Sequence, residues 1–185
     1  MSEGKKFYKV WNKTNSLFAF WFGACDIGYR KNGTLDEIID NLFNIISKIY
    51  DIGARNILIL EAPPIYRNPF RSKFYKEKKC TYENCDQIKN DVYIFNNNII
   101  KNSKIFFDKY SDTNIIIYDT VSKFENIISE CNMYKFKNCT HAWSSVKNRN
   151  KNNINEYFWA NSHLTSLANK YIAKDINDLL NSLNS

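Results

Sequence analysis

Apolar positions along this chain change period several times, and each change marks an element. Ser16 to Ala24 is a short, continuous, aromatic-rich run, which predicts a strand buried on both faces. Thr34-Leu35-Asp36-Glu37 has the form of a capping box, with Thr34 at the N-cap and Glu37 reaching back. Behind it Leu35, Ile38, Ile39, Leu42, Ile45, Ile46 and Ile49 recur at three and four, one stripe of an amphipathic helix. Gly53 stands where a C-terminal cap belongs. Asn56 to Leu60 predicts a second buried strand, stopped by Pro63-Pro64, and Tyr66 to Glu83 a long surface loop. Asp86 to Tyr110 reads as one or two helices with Ile88, Val92, Phe95, Ile99 and Phe106 inward. Ile115 to Tyr118 predicts a third strand and Val121 to Glu130 a helix. Asn132 to Tyr157 is polar, aromatic and irregular. A last helix begins near Ser166, with Thr165 as its N-cap.

Buried strands alternating with amphipathic helices imply an α/β fold. A parallel sheet would carry helices on both faces, joined by right-handed crossovers. Ligands of such sheets gather at the carboxyl ends of the strands. Three segments fall there: Gly23-Ala24-Cys25-Asp26, Glu61-Ala62-Pro63-Pro64 and Asp119-Thr120. No repeat and no second domain are evident, so residues 1–185 read as a single domain.

Composition alters this picture little. The formal net charge is +7, but 27 Asn, 23 Ile and 21 Lys share A/T-rich codons, and the lysines are scattered. The charge therefore reads as base-composition bias, and a nucleic-acid partner is not expected without a motif that enters a groove. No apolar run reaches the length of a membrane-spanning helix, so no membrane partner is expected. The first twenty residues lack the apolar stretch of a signal peptide, and the compartment stays open. With five Gly in all and no glycine-rich phosphate loop, nucleotide binding is not expected. Five cysteines include no zinc-type spacing, so neither metal nor cofactor is expected. Cys80/Cys85 and Cys131/Cys139 suit disulfides in an oxidising compartment or free thiols in a reducing one, with Cys25 left over.

Four segments in order resemble the SGNH (GDSL-type) ester hydrolases, especially their fungal carbohydrate-esterase branch. Phe22-Gly23-Ala24-Cys25-Asp26-Ile27-Gly28 resembles the family's third block. Tyr50 to Asn56 followed by Pro63-Pro64 resembles its Gly-Ala-Arg helix end, strand and proline turn, and Phe95-Asn96 the helix that follows. Phe158-Trp159-Ala160-Asn161-Ser162-His163-Leu164-Thr165 resembles the block with the catalytic histidine. The resemblance implies a three-layer α/β/α domain with a flavodoxin-like parallel sheet, here incomplete at about three of five strands. It also implies a serine nucleophile, a histidine base, an aspartate orienting that histidine and an oxyanion hole.

By this resemblance His163 is the base, while Gly23, Cys25 and Asp26 lie on the oxyanion and substrate side. The chain departs from the pattern elsewhere. It contains no Gly-Asp-Ser block, so it resembles a family member truncated at the N-terminus. Cys25 replaces the asparagine donor, Ala160 the aspartate, and Leu164 a proline. Asn161 could take the aspartate's orienting part. The implied function is hydrolysis of short acyl or acetyl esters of carbohydrate by a degenerate relative inactive by itself. Family relatives are usually secreted. Two alternatives stay open: a non-catalytic carbohydrate-binding or interaction module on the same fold, and a Cys25–His163 hydrolase. In the implied strand order the run Ser16 to Ala24 would have lost a neighbour, so self-association or pairing through that uncovered strand is expected.

Overall fold

The structure is a computed structural model that describes residues 11–29, 34–70, 86–147 and 149–183. In chain order the elements are β1 (Leu17–Trp21), α1 (Ala24–Tyr29), α2 (Leu35–Asp51), β2 (Asn56–Leu60), α3 (Asp86–Lys109), β3 (Asn114–Tyr118), α4 (Thr120–Ser129), β4 (Asn138–Ala142), β5 (Tyr157–Trp159) and α5 (Ser166–Ser182). They fall into two compact units. The first holds residues 1–62 and 91–119, the second residues 63–90 and 120–185.

The first unit is a three-stranded parallel sheet in the order β1-β2-β3, flanked by helices, as in a three-layer α/β fold. Parallel neighbours cannot be joined by a hairpin, so each needs a crossover helix. Two right-handed crossovers that advance in one direction put both helices on the same side. Phe43 and Tyr50 of α2 accordingly meet Phe106 of α3, with ring centroids 6.3 and 6.1 Å apart. β2 is central, and Ile57, Leu58, Ile59 and Leu60 are all buried. Each such side chain contributes about 1.5–3 kcal/mol through removal from water.

Local signals set the ends of α2. The Thr34 hydroxyl accepts from Glu37 N–H and the Glu37 carboxylate accepts from Thr34 N–H, at 3.2 and 2.7 Å. At the other end Gly53 adopts φ +109°, its N–H reaches Tyr50 O, and Ala54 N–H reaches Ile49 O. These two bonds form a Schellman cap, which satisfies carbonyls the helix leaves open. Of the expected stripe, Leu35, Ile39, Leu42 and Ile46 are buried, Ile38 and Ile49 are half-buried, and Ile45 is exposed.

Two expectations need correction, and one is narrowed. β1 is not buried on both faces: Leu17, Ala19 and Trp21 point to an open side, with Leu17 40% and Trp21 42% exposed. Among the described residues it pairs with β2 alone, so it is an edge strand. Of the one or two helices expected over Asp86 to Tyr110 the structure forms one, the 24-residue α3. Asn132 to Tyr157 is not wholly irregular, because it contains β4 and leads into β5. That pair was hidden because β5 has three residues and the ladder shifts register between Asn138 and Ala142. Neither strand shows the period-two alternation that marks one in sequence.

The second unit packs α4, the parallel pair β4-β5 and α5 around aromatic rings. Phe158 is fully buried and meets Phe124, Phe136 and Trp159 at centroid distances of 5.4, 5.7 and 5.1 Å, all nearly perpendicular. This edge-to-face arrangement suits the ring quadrupole. Lys123 pairs with Asp175, tying α4 to α5. A disulfide joins Cys131, after α4, to Cys139 on β4; Cys80 and Cys85 lie outside the described residues. Arg67 grips Glu125 with two bonds of 2.8 Å, and the Tyr66 hydroxyl donates to the same carboxylate at 3.1 Å. Burial, then the Glu125 charge, pushes the Tyr66 phenol up to about 12.

Two outcomes follow from the second unit. Reduction of Cys131–Cys139 is expected to lower the free energy of unfolding by about 2–3 kcal/mol, the loop entropy of so short a bridge. Urea melts with and without dithiothreitol check this, and equal midpoints would mean that no bridge forms in solution. The raised Tyr66 value also fixes a sign. The native state holds a phenolic proton that the unfolded chain releases from about pH 10. The resulting stability is fully present below pH 10 and is lost as pH climbs to about 12. Tyr66→Phe should flatten the fall of urea midpoint across that window.

Candidate functional site

In the first unit the chain leaves β1 through Phe22 and turns sharply at Gly23. This residue adopts φ +108°, a region that side chains rarely enter. It is also crowded: a Cβ there would lie 2.6 Å from Phe95 Cε1 and 2.9 Å from Ala62 Cβ. Gly23 O then accepts from Ile27 N–H at 2.8 Å, opening α1. The Asp26 carboxylate accepts from Gly23 N–H at 3.2 Å, the reach-back half of a capping box. Cys25 and Asp26 therefore sit in the first turn of a six-residue helix, and Ala24, expected to end the strand, opens that helix instead. Cys25 is a free, exposed thiol.

The neighbouring strand end is held by a side-chain amide. Asn96, 6% exposed on α3, accepts from Ala62 N–H at 2.9 Å and donates to Ala62 O at 3.1 Å. Both polar backbone groups of a fully buried residue are thereby satisfied. Trp21 Nε1 donates to Glu61 O at 3.1 Å, and Glu61 N–H continues the ladder to Tyr118 O at 3.1 Å. The carboxyl ends of β1 and β2 are thus fixed around Gly23 by Asn96, Phe95 and Trp21.

In the second unit His163 lies in the turn between β5 and α5, exposed to solvent. Its carbonyl accepts from Ala160 N–H at 2.9 Å and from Asn161 N–H at 3.4 Å. The Asn161 side-chain oxygen accepts from His163 N–H at 2.8 Å and lies 3.1 Å from His163 Nδ1. Ser162 Oγ is 3.3 Å from the same nitrogen. The turn is tied down around its rim. Ser144 N–H reaches Ala160 O at 3.0 Å, Asn68 Nδ2 reaches Ser162 O at 2.8 Å, and Trp159 bridges Leu164. Thr165 caps α5 by accepting from Ala168 N–H while its hydroxyl donates to Tyr157 O at 2.8 Å. Asn68 and Ser162 escape sequence reasoning, because each serves a backbone group far away in the chain or a ring beside it.

Other aromatic rings of this unit are used for packing. Phe158 and Trp159 are buried, and Trp159 Nε1 donates to Cys139 O at 3.0 Å. Trp143 Nε1 reaches both Asn150 O and Asn153 Oδ1 at 3.1 Å, and the Arg149 guanidinium lies over its ring at 5.3 Å. His141 lies on β4 with Nδ1 3.0 Å from Thr140 Oγ1. Among the described residues no three His, Cys, Asp or Glu side chains group as metal ligands, and no helix is long and apolar enough to cross a membrane.

The chain is similar to an ester hydrolase over a third of its length. It is 37% identical over 67 residues to an acetylesterase of Thermothelomyces thermophilus, a stretch covering 34% of this chain and 22% of that protein. The chain thus matches about a fifth of that relative. No family model matches it.

Gly23→Ala is expected to destabilise the protein by about 2–5 kcal/mol, combining backbone strain with overpacking against Phe95. Chemical denaturation measures this, and a loss under about 1 kcal/mol would show that the turn relaxes freely.

Proposed function

We propose that this chain carries the histidine-bearing part of a carboxylic ester hydrolase of the SGNH (GDSL) type, directed at short acyl or acetyl esters of carbohydrate. We also propose that its 185 residues are catalytically silent by themselves. The similarity to an acetylesterase is the observation that carries the first statement. In such chemistry a base takes the proton of a serine while fixed donors hold the oxyanion. His163 supplies the base. In the family pattern that this reading extends, Gly23 and the first helical turn carrying Cys25 and Asp26 stand at the oxyanion-side positions.

The second statement rests on the departures. The sequence contains no Gly-Asp-Ser nucleophile block. Ala160 presents a methyl group where a carboxylate would accept the imidazole proton. Cys25 offers an S–H, a weak donor, in place of an amide. Loss of one oxyanion donor alone typically removes about 2.7–4 kcal/mol of transition-state stabilisation. Two of the aromatic side chains that would stack on sugar in a binding module are engaged within the second unit: Trp159 is buried and the Arg149 guanidinium lies over the Trp143 ring.

Hydrolysis of p-nitrophenyl acetate tests this reading. The chain and its His163→Ala variant should match within about twofold, since a working general base contributes about 10²–10⁴. A loss on that larger scale in His163→Ala would make the chain an active enzyme. Loss of such activity in Cys25→Ser would assign the nucleophile to the thiol. Retention on xylan without turnover would replace the hydrolase reading with a binding module.

A further inference from the structure

We infer that Asn161 is a positioning residue for His163: it fixes the imidazole as the Nδ1–H tautomer and so leaves Nε2 as the proton acceptor. The inference follows from which atom of the amide faces the ring. An asparagine side chain has an oxygen that accepts only and a nitrogen that donates only. His163 backbone N–H, a donor, points at one of these atoms at 2.8 Å, so that atom must be the oxygen. The same oxygen lies 3.1 Å from Nδ1 of the His163 ring. Two acceptors cannot bond to each other, so Nδ1 carries the proton and donates it. The tautomer of a neutral imidazole is set by such a partner, and the other nitrogen keeps its lone pair.

The backbone makes this arrangement stiff. Asn161 Oδ1 bonding the N–H two residues on is an Asx turn. The His163 carbonyl is bound by Ala160 and Asn161 N–H groups, and the carbonyls of Ala160 and Ser162 by Ser144 and Asn68. Ring and amide therefore start from a fixed frame. Ser162 Oγ, 3.3 Å from Nδ1, is the second group near that nitrogen. Its hydroxyl can donate or accept, so it cannot by itself dictate the tautomer. The Ala160 side chain offers no acceptor, and the Asn161 amide, one residue nearer the histidine, does. A neutral oxygen in this place orients the ring without the charge that a carboxylate would bring to an imidazolium.

The reading that His163 acts on esters adds value to this geometry, but the tautomer does not depend on it. Long-range ¹H–¹⁵N correlation spectra of the ¹⁵N-histidine-labelled full chain, taken above the ordinary imidazole range of about 6.5, read it directly. The His163 spectrum should show a pyrrole-type Nδ1 and a pyridine-type Nε2. Asn161→Ala should move the ring toward Nε2–H, Asn161→Asp should restore Nδ1–H, and Ser162→Ala should leave it unchanged. His141 serves as the internal control, and unchanged amide spectra outside the turn establish that each variant folds. An Nε2–H ring in the unaltered chain would overturn the inference, as would Nδ1–H surviving in Asn161→Ala. Neither result depends on turnover, so failure here and failure of the ester-hydrolase reading are separate outcomes.

Discussion

The parallel pairing of β2 on both its edges is the constraint from which the first unit follows. Asn56 to Leu60 has β1 on one side and β3 on the other, so its backbone polar groups are bonded within the sheet while four consecutive apolar side chains go into the core. Parallel neighbours demand crossovers, and the shared hand of those crossovers places α2 beside α3. From α3, Phe95 and Asn96 then reach the carboxyl ends of the strands. There the amide holds Ala62 and the ring closes over Gly23. A glycine at position 23 is thus a consequence of sheet order, because the close approach exists only when α3 covers that strand end.

Side-chain amides recur at several places where the chain needs a partner for a backbone group. Asn56 Nδ2 reaches Lys13 O and Ser16 O ahead of β1, at 2.9 and 3.1 Å. Asn96 holds Ala62, Asn68 holds Ser162 O, and Asn161 holds His163 N–H. An amide offers donor and acceptor on one short stem, so it can substitute for a missing backbone partner in a turn. With 27 asparagines in the chain, composition alone does not single out these four. What distinguishes them is the backbone group each one satisfies.

The two units solve the packing problem differently. The first relies on aliphatic strands and on helix stripes read at intervals of three and four. The second has little regular sheet and depends on perpendicular aromatic contacts around Phe158, a disulfide and ion pairs at Glu125 and Asp175. Such contacts join residues at unrelated spacings. That is why the stretch before β5 carries no periodic signal although it is ordered.

What the sequence by itself determined is the local grammar. The Thr34–Glu37 box, the Gly53 cap, the bounds of β2, the Thr165 cap and the α/β class depend on neighbours within a few residues or on simple periodicity, and such interactions are written in linear order. His163, Gly23, Cys25 and Asp26 were legible as candidates because they stand in motif-like strings. The tertiary structure alone decided the open face of β1, the short β4-β5 pair and the clamp of Asn96 on Ala62. It also decided which amide atom meets the imidazole. Each of these depends on distances between residues far apart in the chain, or on the direction of a single bond, and linear order records neither.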